Sequence, residues 1–158
     1  MGFAKLSLKG RALKLLAQRE HSRSELESKL ARHVEEGDDL AAILDELESK
    51  DFINSERVAA SVVHRRASRM GTQRVVQELR SKGLDDALIK STAAELQSTE
   101  LERALQVWKS KFGSREPATT PQEKAKQMRF LAARGFSGDV VRKVLKSAAE
   151  IDDENDYS

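Results

Sequence analysis

Apolar residues recur three and four positions apart in short runs along this chain, and most runs open on a side chain able to cap a helix. Ser7 precedes a run that carries Leu13, Leu16 and Ala17 on one side and Lys9, Arg11 and Lys14 on the other, to about Arg19. Ser22-Arg-Ser-Glu25 is a capping box, in which serine and glutamate satisfy the first free amides of a helix reciprocally; Leu26, Leu30 and Val34 follow it. Asp38 or Asp39 caps the next run, where Leu40, Ile43, Leu44 and Leu47 fall at i, i+3, i+4 and i+7. Asn54 or Ser55 opens a helix through about Arg69 with Val58, Val62 and Val63 inward. Gly71 breaks it. Val75, Val76 and Leu79 then share a face up to Gly83, and Asp85 caps a helix with Leu88, Ile89 and Leu96. Thr99-Glu-Leu-Glu102 reads as a second capping box before Leu101, Leu105, Trp108 and Phe112. Thr120-Pro121-Gln-Glu123 combines cap, N1 proline and capping glutamate, and its helix bears Met128, Leu131 and Ala132. Ser137 opens the last, with Val140, Val141, Val144 and Leu145.

The pattern therefore predicts nine helices in three units of three. No Asn-Gly or Asp-Gly hairpin turn and no sustained alternation competes with them. Leu79-Arg-Ser-Lys82-Gly83-Leu84 returns 52 positions later as Leu131-Ala-Ala-Arg134-Gly135-Phe136, and a repeat of that length marks a tandem array. The fold class is all-α, an elongated, curved array of three tandem three-helix repeats. The units are expected at residues 1–53, 54–98 and 99–149, with 150–158 an acidic, disordered tail.

Composition refines this picture. Only 4% of residues are aromatic and 34% are charged, as suits helices with one apolar stripe and a wide solvated face. Without cysteine the chain has no disulfide or thiolate metal site. With no membrane-length apolar run or signal peptide, a soluble, cytoplasmic protein is expected, and a monomer, because no spare apolar stripe remains once the nine helices are packed. The net charge of +2 conceals segregation: +5 over residues 1–19, −7 over 20–57, +9 over 58–149 and −5 over 150–158. A basic two-thirds suggests an anionic partner, although solvated helix faces account for the same charge.

The residue types exclude most chemistry. His21, His33 and His64 have no i, i+4 pairing and read as surface or capping histidines. Glu35-Glu36 with Asp38-Asp39 reads as a solvated acidic turn rather than a metal site. No GxxxxGK[ST] phosphate loop occurs, and Trp108 reads as core rather than as a stacking platform. No catalytic, cofactor-binding or metal-binding residue is expected, and the chain is read as a non-enzyme. The basic residues remain. Arg65, Arg66, Arg69 and Arg74 surround Gly71, while Lys82 and Arg134 precede the terminating glycines, where a cation also favours the helix dipole. A helix-turn-helix reading stays open for the third unit through Arg142, Lys143 and Lys146.

Three blocks carry a family resemblance: Arg11-Ala-Leu-Lys-Leu-Leu-Ala-Gln-Arg-Glu-His-Ser-Arg-Ser-Glu25-Leu26; Arg65 with Gly71-Thr-Gln-Arg74-Val-Val-Gln-Glu78-Leu79-Arg-Ser-Lys82-Gly83; and Lys126-Gln-Met-Arg129-Phe130-Leu131-Ala-Ala-Arg134-Gly135-Phe136. In order and spacing they resemble the RecX regulators of the bacterial recombinase RecA, over all but the acidic tail. One departure is Phe52-Ile53-Asn54-Ser55, where the family shows an aspartate pair before an apolar step; Val58 also replaces a common phenylalanine. The resemblance implies a modulator that lies in the groove of the RecA nucleoprotein filament and suppresses ATP hydrolysis, coprotease activity and strand exchange. On this reading Arg65, Arg66, Arg74, Lys82, Lys124, Arg129 and Arg134 lie on the contact surface, with weak binding to single- or double-stranded DNA as a secondary expectation. A DNA-binding module acting without RecA is the alternative, and a structural adaptor for another protein a third.

Overall fold

The computed structural model describes the backbone of residues 5–113 and 118–155 and the side chains of that span through residue 150. Among the described residues the chain is all-helical: α1 Leu8–Gln18, α2 Arg23–Leu30, α3 Leu40–Ser49, α4 Ser55–Arg66, α5 Thr72–Ser81, α6 Asp86–Ser98, α7 Glu100–Phe112, α8 Pro121–Ala133 and α9 Gly138–Asn155. No helix among them is long and apolar enough to cross a membrane.

Local chemistry explains most boundaries. Ser7, Asp39, Asn54, Asp85 and Thr120 each accept a hydrogen bond from a first-turn amide of the helix they open. The Ser22/Glu25 capping box forms in both directions. Ser137 Oγ accepts from Val140 N at 3.3 Å. At the ends of α5 and α8 the chain turns through Gly83 (φ 72°) and Gly135 (φ 91°). Leu84 N then donates to Leu79 O at 3.4 Å and Phe136 N to Leu131 O at 3.3 Å, the six-to-one closure of a Schellman end.

Three separate apolar clusters hold the helices. Leu8, Ala12, Leu26, Leu30, Leu44, Leu47 and Ile53 bury against one another from α1–α3. Val58, Ala59, Val62, Val75, Leu79, Leu84, Ile89 and Leu96 form the cluster of α4–α6, and Ala104, Val107, Leu131, Phe136, Val141 and Val144 that of α7–α9. Division into small cores leaves much surface exposed. Tandem three-helix repeats are the architecture.

The differences from the sequence pattern have physical causes. Thr99 does not cap α7: with φ −113° and ψ 3° it continues almost directly from α6, and its hydroxyl donates to Leu96 O at 3.3 Å. The buried stripe of α7 consequently shifts to Ala104, Val107 and Phe112, and Leu101 is 37% exposed. Met128 is exposed to the same extent, because Gln127 takes the inward position one residue earlier. Trp108 does pack on the third core, with its indole N–H donating to Gln127 Oε1 at 2.9 Å. Val34 lies beyond α2, after a 3-10 turn over Ala31–His33, and is exposed. α4 ends at Arg66 rather than Arg69. The acidic stretch read as a disordered tail begins as the last turns of α9, to Asn155.

Candidate interaction surface

The repeated glycine turns do more than stop helices, because each docks on the unit before it. Ser22, the N-cap of α2, accepts from Glu25 N and donates its hydroxyl to Lys82 O, the C-cap carbonyl of α5, at 2.6 Å. Gly71, the N-cap of α5, donates its amide to Arg134 O, the C-cap carbonyl of α8, at 2.7 Å. A donor at one helix start thus meets a free carbonyl at another helix end, a hydroxyl in the first case and a backbone amide in the second, and the dipoles of α8, α5 and α2 follow one another head to tail.

The two junctions differ in charge. In the first, Glu25 at the third position of α2 binds Lys82 Nζ at 3.0 Å and Arg19 at 2.7 Å. Burial pushes the Glu25 carboxyl up, but the bonds from Arg19 and Lys82 outweigh it and hold its pKa at about 2. In the second junction the corresponding position of α5 is Arg74. Its Nε donates to Ala133 O at 3.1 Å, and its side chain lies over Gly135. Arg134 turns to Arg69 O at 3.3 Å and stacks on the Phe130 ring at 5.0 Å. Neither arginine has a carboxylate partner among the described residues, so the second junction holds two cations where the first holds a salt bridge.

Arg74 opens onto a cleft of about 380 Å³ shared with Arg66, Met70 and Glu78. Glu78 is paired there with Arg66 at 3.1 Å and approached by Arg65 at 3.5 Å. Arg65, Arg66 and Arg74 therefore form a basic corner around Glu78, with Arg69 and Arg134 on the adjacent Gly71 turn. Lys82 is not part of that corner. Its side chain is 11% exposed and is consumed by the first junction. Arg129 stands exposed on α8, and Lys124 borders a separate cleft with Trp108, Gln127 and Lys146. Of the helix-turn-helix cations, Arg142 pairs with Asp139, whereas Lys143 and Lys146 are exposed.

Several polar residues that periodicity does not mark complete the frame. Gly71 has no side chain to cap α5, and buried Glu100 substitutes for one, accepting from Thr72 N at 3.1 Å. Arg103 donates to Ala67 O at 2.9 Å, Met70 O at 2.6 Å and Leu96 O at 2.9 Å, closing the open carbonyl ends of α4 and α6. Burial lowers its pKa despite the neighbouring Glu100. His21 is 1% exposed rather than a surface group. Its Nδ1 lies 3.0 Å from Arg19 O and its Nε2 3.0 Å from Lys29 Nζ, an arrangement that fits the neutral ring donating from Nδ1. No group of three His, Asp or Glu among the described residues is placed to hold a metal.

Comparison with known proteins decides the family. Models of the second and third three-helix domains of RecX match residues 54–92 and 98–145. The chain is 50% identical over 152 residues to the regulatory protein RecX of Leptothrix cholodnii, covering 96% of this chain and 94% of that one. The chain belongs to the RecX family. The regulatory protein RecX of Ralstonia nicotianae is 48% identical over 151 residues, covering 96% of this chain and 94% of its own. The crystal structure of RecX from Lactobacillus salivarius superposes with a TM-score of 0.72 at 20% identity, covering 89% of this chain and 93% of that one, and shows the shared fold.

Proposed function

We propose that this member of the RecX family is a negative regulator of homologous recombination and the SOS response, binding the RecA nucleoprotein filament and inhibiting its ATPase, coprotease and strand-exchange activities. It acts as a monomeric, non-catalytic, cytoplasmic protein whose repeats follow the filament groove. Family membership supports the partner. The observation that carries the surface is the second junction, where Arg74 and Arg134 replace the acid–base pair of the first. A fold stabilised only for itself would neutralise that site, so two cations without a carboxylate partner among the described residues favour an anionic surface outside the chain. Arg65, Arg66, Arg74 and Arg134 form the centre of the contact, with Arg129 and Lys124 extending it along the third unit. Lys82 serves it indirectly, by fixing the first unit to the second.

The test is a triple charge reversal, Arg65→Glu, Arg74→Glu and Arg129→Glu, assayed for inhibition of the DNA-dependent ATPase of RecA. Arg74→Glu recreates at the second junction the charge pattern of the first, so circular dichroism is expected to stay unchanged while inhibition is lost. Undiminished inhibition by the folded variant would exclude this surface. Binding to DNA without RecA is the second reading, favoured by Lys124 and Lys146 beside the half-buried Trp108. Affinity for bare DNA equal to that for the filament, falling steeply with salt, would support it.

A further inference from the structure

The first unit carries an excess of acid, yet one of its clefts is purely cationic. A cavity of about 600 Å³ lies between α1 and the end of α2. Arg11 and Lys14 border it from α1, and Lys29 and Arg32 from α2 and the 3-10 turn. Its apolar lining is Leu6, Leu15 and Leu30, and no carboxylate among the described residues borders it. The pairing pattern sets these four cations apart. Lys5, Lys9, Arg19, Arg23, Lys50 and Arg57 all hold a carboxylate within the unit. Arg11, Lys14, Lys29 and Arg32 hold none among the described residues, although twelve acids lie between residues 20 and 57. The positive field is felt locally: desolvation and the charges of Arg11, Arg32 and Lys5 push the His33 imidazole down.

We propose that this cleft is a receptor for a short acidic peptide segment with apolar side chains set among its carboxylates. Cations on facing edges match carboxylates spaced along an extended or helical peptide, and the leucine floor takes the apolar side chains between them. The acidic remainder of the unit repels a polyanion elsewhere and directs it to the cleft. A single nucleic-acid strand fits less well, since such strands rely on aromatic platforms and no aromatic ring among the described residues borders this cavity. The site is separate from the basic corner around Gly71 and does not depend on the function proposed for it.

This chain contains a segment of the required chemistry: AEIDDENDYS, residues 149–158, with five acids around Ile151 and Tyr157. A fluorescent peptide of that sequence, titrated against the full-length protein by anisotropy, is expected to bind saturably and to weaken with salt. Its amidated analogue AQINNQNNYS is expected not to bind. Lys14→Glu with Arg32→Glu, one reversal on each edge, is expected to weaken binding at least about tenfold, equivalent to 1.4 kcal/mol. The milder Lys14→Gln with Arg32→Gln keeps the test decisive if the reversal disturbs folding. Absence of peptide binding, or equal binding by the glutamine variant, overturns the proposal. So does the finding that an oligothymidylate, and not the peptide, loses affinity in these variants, which would assign the cleft to nucleic acid.

Discussion

Replacing Gly71 by alanine isolates the inter-unit junction from every other role of a glycine. Gly71 sits at φ −75° and ψ 166°, a conformation open to any residue, so the substitution strains no backbone. What it adds is a Cβ placed 2.3 Å from the carbonyl carbon and oxygen of Gly135 and 2.4 Å from Phe136 N. Carbon contacts settle near about 3.5 Å, so the second and third units must part by about 1 Å. The amide bonds Gly71 N to Arg134 O at 2.7 Å and Gln73 N to Gly135 O at 3.3 Å, with Arg74 Nε to Ala133 O at 3.1 Å, are then stretched or broken. At roughly 0.5–1.5 kcal/mol each, their loss amounts to about 2–4 kcal/mol. Urea unfolding followed by far-UV circular dichroism measures it. Because the lost energy is an interface term of a repeat array, the transition should broaden as well as shift. Gly138→Ala is the control. Its new Cβ finds only Arg142 Nη1, at 3.5 Å, so the change should be neutral or stabilising by up to about 1 kcal/mol. A Gly71→Ala protein within about 0.5 kcal/mol of the Gly138→Ala control would refute the junction argument.

Other perturbations test the frame around it. Arg103→Met leaves the Ala67, Met70 and Leu96 carbonyls without their shared donor and should cost about 2–4 kcal/mol in the same assay; Arg103→Lys should recover only part, since one ammonium cannot reproduce the guanidinium fork. His21 is held below its ordinary pKa, chiefly by burial, so the unfolded chain takes up its proton first as pH falls through about 6.5. Stability should decline on acidification below that point by up to about 1.4 kcal/mol per pH unit, a component absent from His21→Gln when stability is followed from pH 7 to 5. Glu25 acts in the same direction at lower pH: its carboxyl, at about 2 in the folded chain against an ordinary 4.5, contributes stability above 4.5 that is lost as pH falls towards 2. Glu25→Gln should remove that acid-sensitive component and, at neutral pH, weaken the junction with Lys82 by about 1–3 kcal/mol, as urea midpoints at pH 7 and pH 3 would show.

The sequence revealed the helices because caps and apolar spacing are local signals. Thr120-Pro121-Gln-Glu123 and Ser22-Arg-Ser-Glu25 form the starts their residue types require. Thr99 misled for an equally local reason: its spacing to Glu102 satisfies the capping rule, but Arg103 and Glu100 are committed to α4–α6 and hold α7 close behind α6. Buried polar groups escape periodicity altogether, since Gln127, Glu100 and His21 occupy inward positions that a hydrophobic count assigns to solvent. Among the basic residues, composition marked the corner around Gly71 but could not separate Lys82 from Arg74. That separation depends on Glu25, 57 residues away along the chain from Lys82.

The junctions also bear on how such a chain could act on an extended partner. Each unit has its own small core, so the relative setting of the units rests on polar contacts between them: a helix end against a helix start, one charged position beside it, and in the second junction the bonds of Glu100 and Arg103 to α4–α6. In the first junction that position is closed by Glu25, Lys82 and Arg19. In the second it is left positive by Arg74 and Arg134. A partner with a carboxylate or phosphate at that point would complete the second junction as Glu25 completes the first, binding the chain and fixing the angle between its last two units in one step. On this argument affinity and inter-unit rigidity are coupled. Arg74→Glu, which supplies the missing acid internally, should stiffen the second junction against urea while weakening the partner. A variant that lost both stability and binding would show instead that Arg74 acts through packing over Gly135 alone.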